Sequence, residues 1–274
     1  MRTAISSLLL KRPRNLTQAL AMMRNEGSLT PLAGCTDIYV NLQFGTAGET
    51  RYIDLWPLEE LRGISADKHT LRIGALNTFS EIIASSLVRK RVPMLAAAAR
   101  EIGGRQIQNR GTLAGNIANA SPAGDSLPVL AAADATVVLV STRGERRIPV
   151  TSFYTGYRKT VRRDDELILA IDIPRIDGRQ WWRKVGTRRA QAISKVMMAG
   201  VKGKNLVRVA VGSVAPTVLR LRKTEQSLAA GAGLSEALHV LAEEITPIDD
   251  IRSTAEYRRR VTANLLTAFW NQID

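Results

Sequence analysis

Apolar and polar positions along this chain repeat with two periods, and each period predicts an element. Over residues 17–25, Ala19, Leu20 and Met23 share one face of a helix that Thr17 can cap and Gly27 can stop. A short strand over 29–32, an apolar segment over 38–42 and a strand over 51–55 follow. Together they make a small βαβ-like unit of about 55 residues. Residues 61–64 and 70–74 read as a hairpin across the polar turn Asp67-Lys68-His69. Residues 79–85 and 92–102 read as helices, the second with Pro93 in its first turn. Helical spacing returns at 127–133, before strands at 136–141 and 146–150. The run from Glu166 to Ile173 is a strong strand stopped by Pro174, and residues 177–180 mark a domain boundary. Beyond it come a strand at 181–185, apolar alternation over 207–214, and helices over 224–230, 235–245 and 254–270.

Residues 105–126 fit neither period, which predicts an irregular path. Small residues alternate there with hydroxyl and amide side chains, and Asp125 is the one acid between Glu101 and Asp134. Upstream, Ala33-Gly34-Cys35-Thr36-Asp37 is a second small-residue turn carrying a hydroxyl and an acid. Small residues let a ligand approach the backbone, and successive N–H groups in such a turn form an anion-binding concavity. Two such loops suit a ligand with a diphosphate body, provided the fold brings them together. Each can equally be a loop that only turns the chain, and composition leaves both readings open. Neither loop matches Gly-x-Gly-x-x-Gly, and there is no Walker-type Gly-Lys-Ser/Thr. For Asp125, capping a helix from Ser126 onward competes with ligand contact.

The pair of loops, with Thr112-Leu113-Ala114-Gly115-Asn116 and then Ala120-Ser121-Pro122-Ala123-Gly124-Asp125-Ser126, resembles the FAD-binding medium subunit of the molybdenum hydroxylases. Xanthine dehydrogenase and aerobic carbon monoxide dehydrogenase belong to that family. The resemblance covers nearly the whole chain. It implies an α+β protein: a two-lobed FAD-binding domain over 1–176 (lobes about 1–55 and 56–176), then a smaller α/β domain over 177–274. By motif position, Ala33, Gly34, Cys35, Thr36 and Asp37 form one FAD cradle. Thr112, Leu113, Ala114, Gly115 and Asn116 form the other, with Asn119 and Asp125 farther on. Thr36 and Thr112 can donate hydroxyl protons to phosphate. Ile168 matches an apolar residue that packs on the flavin. Lys184 matches a lysine near the isoalloxazine, where a cation would stabilise an anionic reduced flavin and raise its potential. Cys35 and Ala114 replace glycines common in the family, so each needs a negative φ or an accepted left-handed strain. Ala192 stands where relatives often carry Asp.

Composition narrows the chemistry. The chain has 274 residues, 45% hydrophobic and 23% charged, enough for two soluble domains. Its single cysteine and two histidines, His69 and His239, leave no disulfide, no metal-ligand spacing and no Ser-His-Asp set. Hard chemistry must therefore come from a bound cofactor. The start shows a short apolar run without a cleavage site, and no segment is long enough to span a membrane, so the cytoplasm is the expected compartment. Net charge is +14, and residues 141–190 hold 13 Lys/Arg against 6 Asp/Glu, so +7 of it. That bias suits nucleic acid or an acidic protein partner. Aromatics are only 5%, with Trp181-Trp182 the one tight cluster nearby, and the acidic partner fits at least as well. The resemblance implies electron relay, with molybdenum cofactor and iron–sulfur clusters on partner subunits and an external acceptor. A self-contained FAD oxidase and a basic nucleic-acid-binding module are the alternatives.

Overall fold

The computed structural model describes residues 7–273; the first six residues, where the N-terminal apolar run begins, and residue 274 lie outside it. The chain opens with β1 (Leu9–Lys11), α1 (Leu16–Asn25), β2 (Thr30–Leu32), α2 (Ile38–Phe44) and β3 (Arg51–Asp54). β3 lies between β1 and β2 in a parallel sheet, with Leu9 paired to Arg51 and Thr30 to Tyr52. The expected βαβ-like unit is present, but Asn15, not Thr17, caps α1, accepting from the Gln18 N–H at 2.9 Å. Thr17 stands inside the first turn. Ala19, Leu20 and Met23 are the buried face of α1.

A 3-10 turn at Glu59–Leu61 replaces the start of the expected hairpin, whose strands are β4 (Ile64–Ala66) and β5 (Thr70–Gly74). Six helices follow: α3 (Phe79–Ala84), α4 (Ser86–Arg91), α5 (Pro93–Glu101), α6 (Arg105–Gln108), α7 (Leu113–Asn119) and α8 (Ser126–Ala132). Two of them, α6 and α7, correct the irregular path expected over 105–126. Helices of four and seven residues are too brief for a 3.6 period to show. α4 was also not expected. Ser85 ends α3 and caps α4 at once, its Oγ accepting from the Val88 N–H.

The chain then forms β6 (Thr136–Ser141), β7 (Gly144–Pro149), the small pair β8 (Tyr154–Gly156) and β9 (Lys159–Thr160), and β10 (Leu167–Pro174). An antiparallel sheet runs β4–β5–β10–β6–β7, so the strong strand of the sequence is its centre. Its register shifts between Ile168 and Ala170. A second antiparallel sheet takes β11 (Arg179–Val185), β12 (Val196–Gly203), β13 (Leu206–Gly212) and β14 (Leu219–Arg220) in sequence order. Helices α9 (Arg222–Ala229), α10 (Leu234–Glu244) and α11 (Ala255–Gln272) complete the chain. Phe269 of α11 packs so closely on β12 that a β-carbon on Gly200 would meet its ring at 2.2 Å.

Every residue of α8 is buried. One face meets α5, and another meets β12 and β13, so α8 seals the joint between the two halves. The fold is α+β, with mixed helix and sheet before the joint and a sheet backed by helices after it.

Candidate functional site

The first loop leaves β2 at Leu32 and enters α2 at Ile38. Gly34 is buried against the second segment: a β-carbon there would sit 1.6 Å from the Arg110 carbonyl oxygen. The two loops therefore cross in backbone contact, which the sequence could state only as a condition. Cys35 has φ +66° and so accepts the left-handed conformation, whereas Ala114 lies inside α7 and escapes it. A left-handed non-glycine residue costs on the order of 1 kcal/mol, which the surrounding contacts must offset. Burial pushes the Cys35 thiol up in pKa, while the Arg110 guanidinium draws it back. Arg110 in turn stacks on Trp56 at 3.8 Å from the ring centre, with Arg62 at 4.7 Å.

Among the described residues, the N–H groups of Cys35, Thr36, Asp37 and Ile38 donate to no protein acceptor, although Tyr39 and Asn41 bond back to Cys35 and Asp37. Asp37 makes no side-chain cap to α2. It accepts instead from Asn119 Nδ2 at 3.0 Å, and Asn119 Oδ1 accepts from Arg158 at 2.9 Å. Desolvation raises the Asp37 carboxyl, and Arg158 and Asn119 oppose it. Asn119, placed by sequence farther along the ligand, is thus a second tie between the loops.

The second segment is organised by Thr112, whose Oγ caps α7 by accepting from the Gly115 N–H at 3.0 Å. Asn77 carries the start of α7, its carbonyl accepting from the Leu113 N–H at 3.1 Å. Its Oδ1 is buried without a partner. Nothing in the sequence around Asn77 singled it out. Asn116 Oδ1 accepts from Ser126 Oγ at 2.6 Å, fixing α7 to α8. The small residues of both segments and the unpaired N–H groups of the first fit a diphosphate, so the donor set suits a dinucleotide-like cofactor.

Asp125 departs from the expected helix cap. It makes no cap to α8. Its buried carboxylate takes Lys184 Nζ at 2.6 Å on one oxygen and Ser194 Oγ on the other. Burial pushes this carboxyl up, and Lys184 and Ser194 hold it down. Lys184 is therefore a paired cation, and it also donates to the Glu101 carbonyl at 3.0 Å. Beside it the Trp182 indole N–H is buried with no acceptor in hydrogen-bond geometry, yet close enough to Glu101 to lower that carboxyl against the larger effect of burial. Ile168 is buried on β10, next to the register shift.

A cleft of about 940 Å³ lies along Lys184, lined by Glu101, residues 182–186 and residues 188–192. Another of about 740 Å³ opens at the far end of β11 among Lys90, Arg91, Arg175 and Arg179. Neither is lined by the two loops. The loop crossing carries more weight for a cofactor site, because its chemistry is specific and theirs is only space. Among the described residues no group of His, Cys, Asp and Glu is placed to hold a metal, and no helix is long and apolar enough to cross a membrane.

The basic stretch is partly consumed inside the fold. Arg146 grips Glu166 through two nitrogens at 2.9 and 2.7 Å, Arg147 and Arg72 share Asp172, and Arg143 meets Asp165.

The fold and the crossing loops define the class as a two-part protein built to hold a dinucleotide-like cofactor. Residues 5–176 match the family described as the FAD binding domain in molybdopterin dehydrogenase, and residues 182–273 match the CO dehydrogenase flavoprotein C-terminal domain. The xanthine dehydrogenase FAD-binding subunit of Escherichia coli O157:H7 is 31% identical, over 90% of this chain and 89% of that one. The carbon monoxide dehydrogenase medium chain of Hydrogenophaga pseudoflava is 29% identical, over 94% of this chain and 95% of its own. A solved structure of the Hydrogenophaga pseudoflava enzyme, lacking the Mo-pyranopterin moiety of its molybdenum cofactor, superposes with a TM-score of 0.90 at 28% identity, covering 100% of both chains. The chain belongs to the FAD-binding medium subunits of the molybdenum hydroxylase family, and it is an oxidoreductase component.

Proposed function

We propose that this chain is the electron-relay subunit of a multi-subunit molybdenum hydroxylase, receiving electrons from iron–sulfur clusters on a partner chain and delivering them to an external acceptor. The observation that carries the reading is the backbone contact of Gly34 with Arg110, which joins a first loop of unpaired N–H groups to a second segment rich in small residues. FAD, when bound, supplies the electron-carrying chemistry.

The chain's own part is holding and orienting. Cys35, Thr36 and Asp37 offer N–H groups to the diphosphate, with Ala33 small beside them and Gly34 holding the two loops in contact. Thr112, Leu113, Ala114, Gly115 and Asn116 form the facing wall, and Asn119 joins the two. Ile168 supplies an apolar surface for the ring system, and Lys184 a cation near it. The molybdenum cofactor belongs to another partner subunit, where substrate is oxidised. Tyr39, Val40 and Phe44, all exposed on α2 beside the first loop, give a partner an apolar surface to cover. The domain division at about 55 and 176 is part of the same reading, supported by the extents of the two family matches and of the sheets. So is a cytoplasmic complex.

The test is anaerobic mixing of the FAD-loaded lone chain with purines, aldehydes and N-heterocycles. The expected result is no bleaching of the flavin, with bleaching restored once the iron–sulfur and molybdenum subunits are added. Rapid bleaching by the lone chain would mean a complete oxidase.

A further inference from the structure

The cleft at the far end of β11 offers a cofactor only space, but its charge is a separate observation. About 740 Å³ in volume, it gathers four cations from three places in the chain. Lys90 and Arg91 end α4, Arg175 follows β10, and Arg179 opens β11. No carboxylate lines the cleft among the described residues. Arg175 meets Asp177 at 3.0 Å, just outside the lining, so four cations less one acid leave a net charge of +3. Lys90 and Arg179 are exposed, and neither meets an acid among the described residues. The walls are already fixed. Arg91 donates to the Asp67 carbonyl at 2.7 Å, and its own carbonyl accepts from Gln180 Nε2 at 2.9 Å, tying α4 to β11. The Arg175 N–H reaches the His69 carbonyl at 2.6 Å, and the Trp181 indole N–H donates to Gln272 at 3.1 Å.

Cations at a helix C-terminus complement its carbonyls, which accounts for Lys90 and Arg91 but not for Arg175 and Arg179. Like charges gathered in a concavity repel one another and focus the potential there, raising the local concentration of anions. We propose that this cleft is a binding site for a small phosphate-bearing oligoanion, of the pyrophosphate or polyphosphate type, held at the seam between the two halves of the chain. A tetrahedral phosphate turns oxygens toward cations arriving from three elements, whereas a carboxylate offers two oxygens in one plane. The four cations converge on one hollow and form no stripe, which suits a small anion better than a nucleic-acid strand. This site is separate from the crossing loops and does not depend on them.

The test is calorimetric titration of the FAD-loaded full chain, whose crossing loops are filled, with inorganic pyrophosphate at about 0.15 M salt, where loose surface attraction is screened. Saturable binding at one site is expected, with citrate, a tricarboxylate, binding more weakly. The double variant Lys90→Gln with Arg179→Gln should bind at least about tenfold more weakly, since a hydrogen bond to a charged group contributes on that order. Its flavin absorbance per chain should match the parent. No saturable binding, citrate binding as tightly as pyrophosphate, or unchanged affinity in the double variant overturns the proposal. Loss of the site once the partner subunits are assembled also overturns it, and would make the cleft a protein interface. A parent chain that takes up no FAD overturns the FAD reading alone, because pyrophosphate binding that depends on Lys90 and Arg179 is still read from the flavin-free chain.

Discussion

Gly34 and Arg110 touch backbone to backbone, and a single β-carbon on Gly34 would lie 1.6 Å from the Arg110 carbonyl oxygen. The obstacle is main chain, so no side-chain rotation relieves it. Gly34→Ala should therefore separate the loops, lowering stability by about 2 kcal/mol or more and releasing FAD. Flavin absorbance after gel filtration, with a thermal melt of the apoprotein, checks both effects. Retained flavin in a stable Gly34→Ala chain would remove the crossing from the site.

Gly115 gives a milder test of the facing wall. An added β-carbon meets only Thr112 Oγ, at 2.8 Å, which is the atom that caps α7. Gly115→Val should weaken FAD binding strongly by crowding both the cap and the space reserved for the diphosphate. Thr112→Ala should cost about 1 kcal/mol of stability and only part of the affinity. Equilibrium FAD titrations of the two variants rank these effects; equal affinities would show that the wall is not in contact with the cofactor.

Glu166 links stability to pH. Burial would raise its carboxyl, but the two-nitrogen grip of Arg146 and the Arg163 N–H outweigh burial and hold it below its ordinary value of 4.5. A depressed folded pKa contributes stability above the unfolded value and loses it as pH falls through the folded one. Glu166→Gln should cost about 2 kcal/mol at neutral pH, since Arg146 stays partly solvated, and much less in acid. Urea midpoints at pH 7 and pH 3 supply the comparison, and an equal loss at both would exclude the charge as the cause.

Partner association should be sensitive to salt. Arg188 and Arg189 are exposed on the segment after β11, and Arg188 spends its nitrogens on the carbonyls of Ala190 and Gln191 without meeting an acid. Exposed charges are screened over about 10 Å at 0.1 M salt. Reversing both to Glu should weaken binding to the partner subunits and flatten its salt dependence, measured by co-purification and titration at two ionic strengths. Unchanged partner binding, or tight binding of arbitrary DNA by the parent chain, would redirect the reading of this surface.

The legible features were those written in local pattern. Strand β10 and helix α11 announce themselves by apolar spacing over eight and 18 residues. Both cofactor loops announce themselves by small residues. What stayed hidden depended on short helices or distant partners. α7 is too brief to show a period, and Ser85 serves two helices with one side chain. The charge count overstated the basic face, because the register of β6, β7 and β10 brings Arg146 and Arg147 onto Glu166 and Asp172. Asp125 could be seen as an acid after a loop, but not as the partner of a lysine on another sheet.

The grip of Lys184 on β11, Ser194 just before β12 and Ser213 just after β13 on the second loop also bears on how the molecule can be made and recombined. While the chain is being synthesised, residues 1–176 emerge first, and Asp125 and the Pro122 carbonyl then lack the partners that Lys184, Ser194 and Ser213 later bring. The first family segment is thus unfinished until the second reaches it, although the two are matched separately. Chimeras between relatives cut near residue 180 inherit this dependence. A donor whose later half lacks a lysine at 184 or a hydroxyl at 194 would leave a buried carboxylate stranded, and the recombinant would fail at the seam.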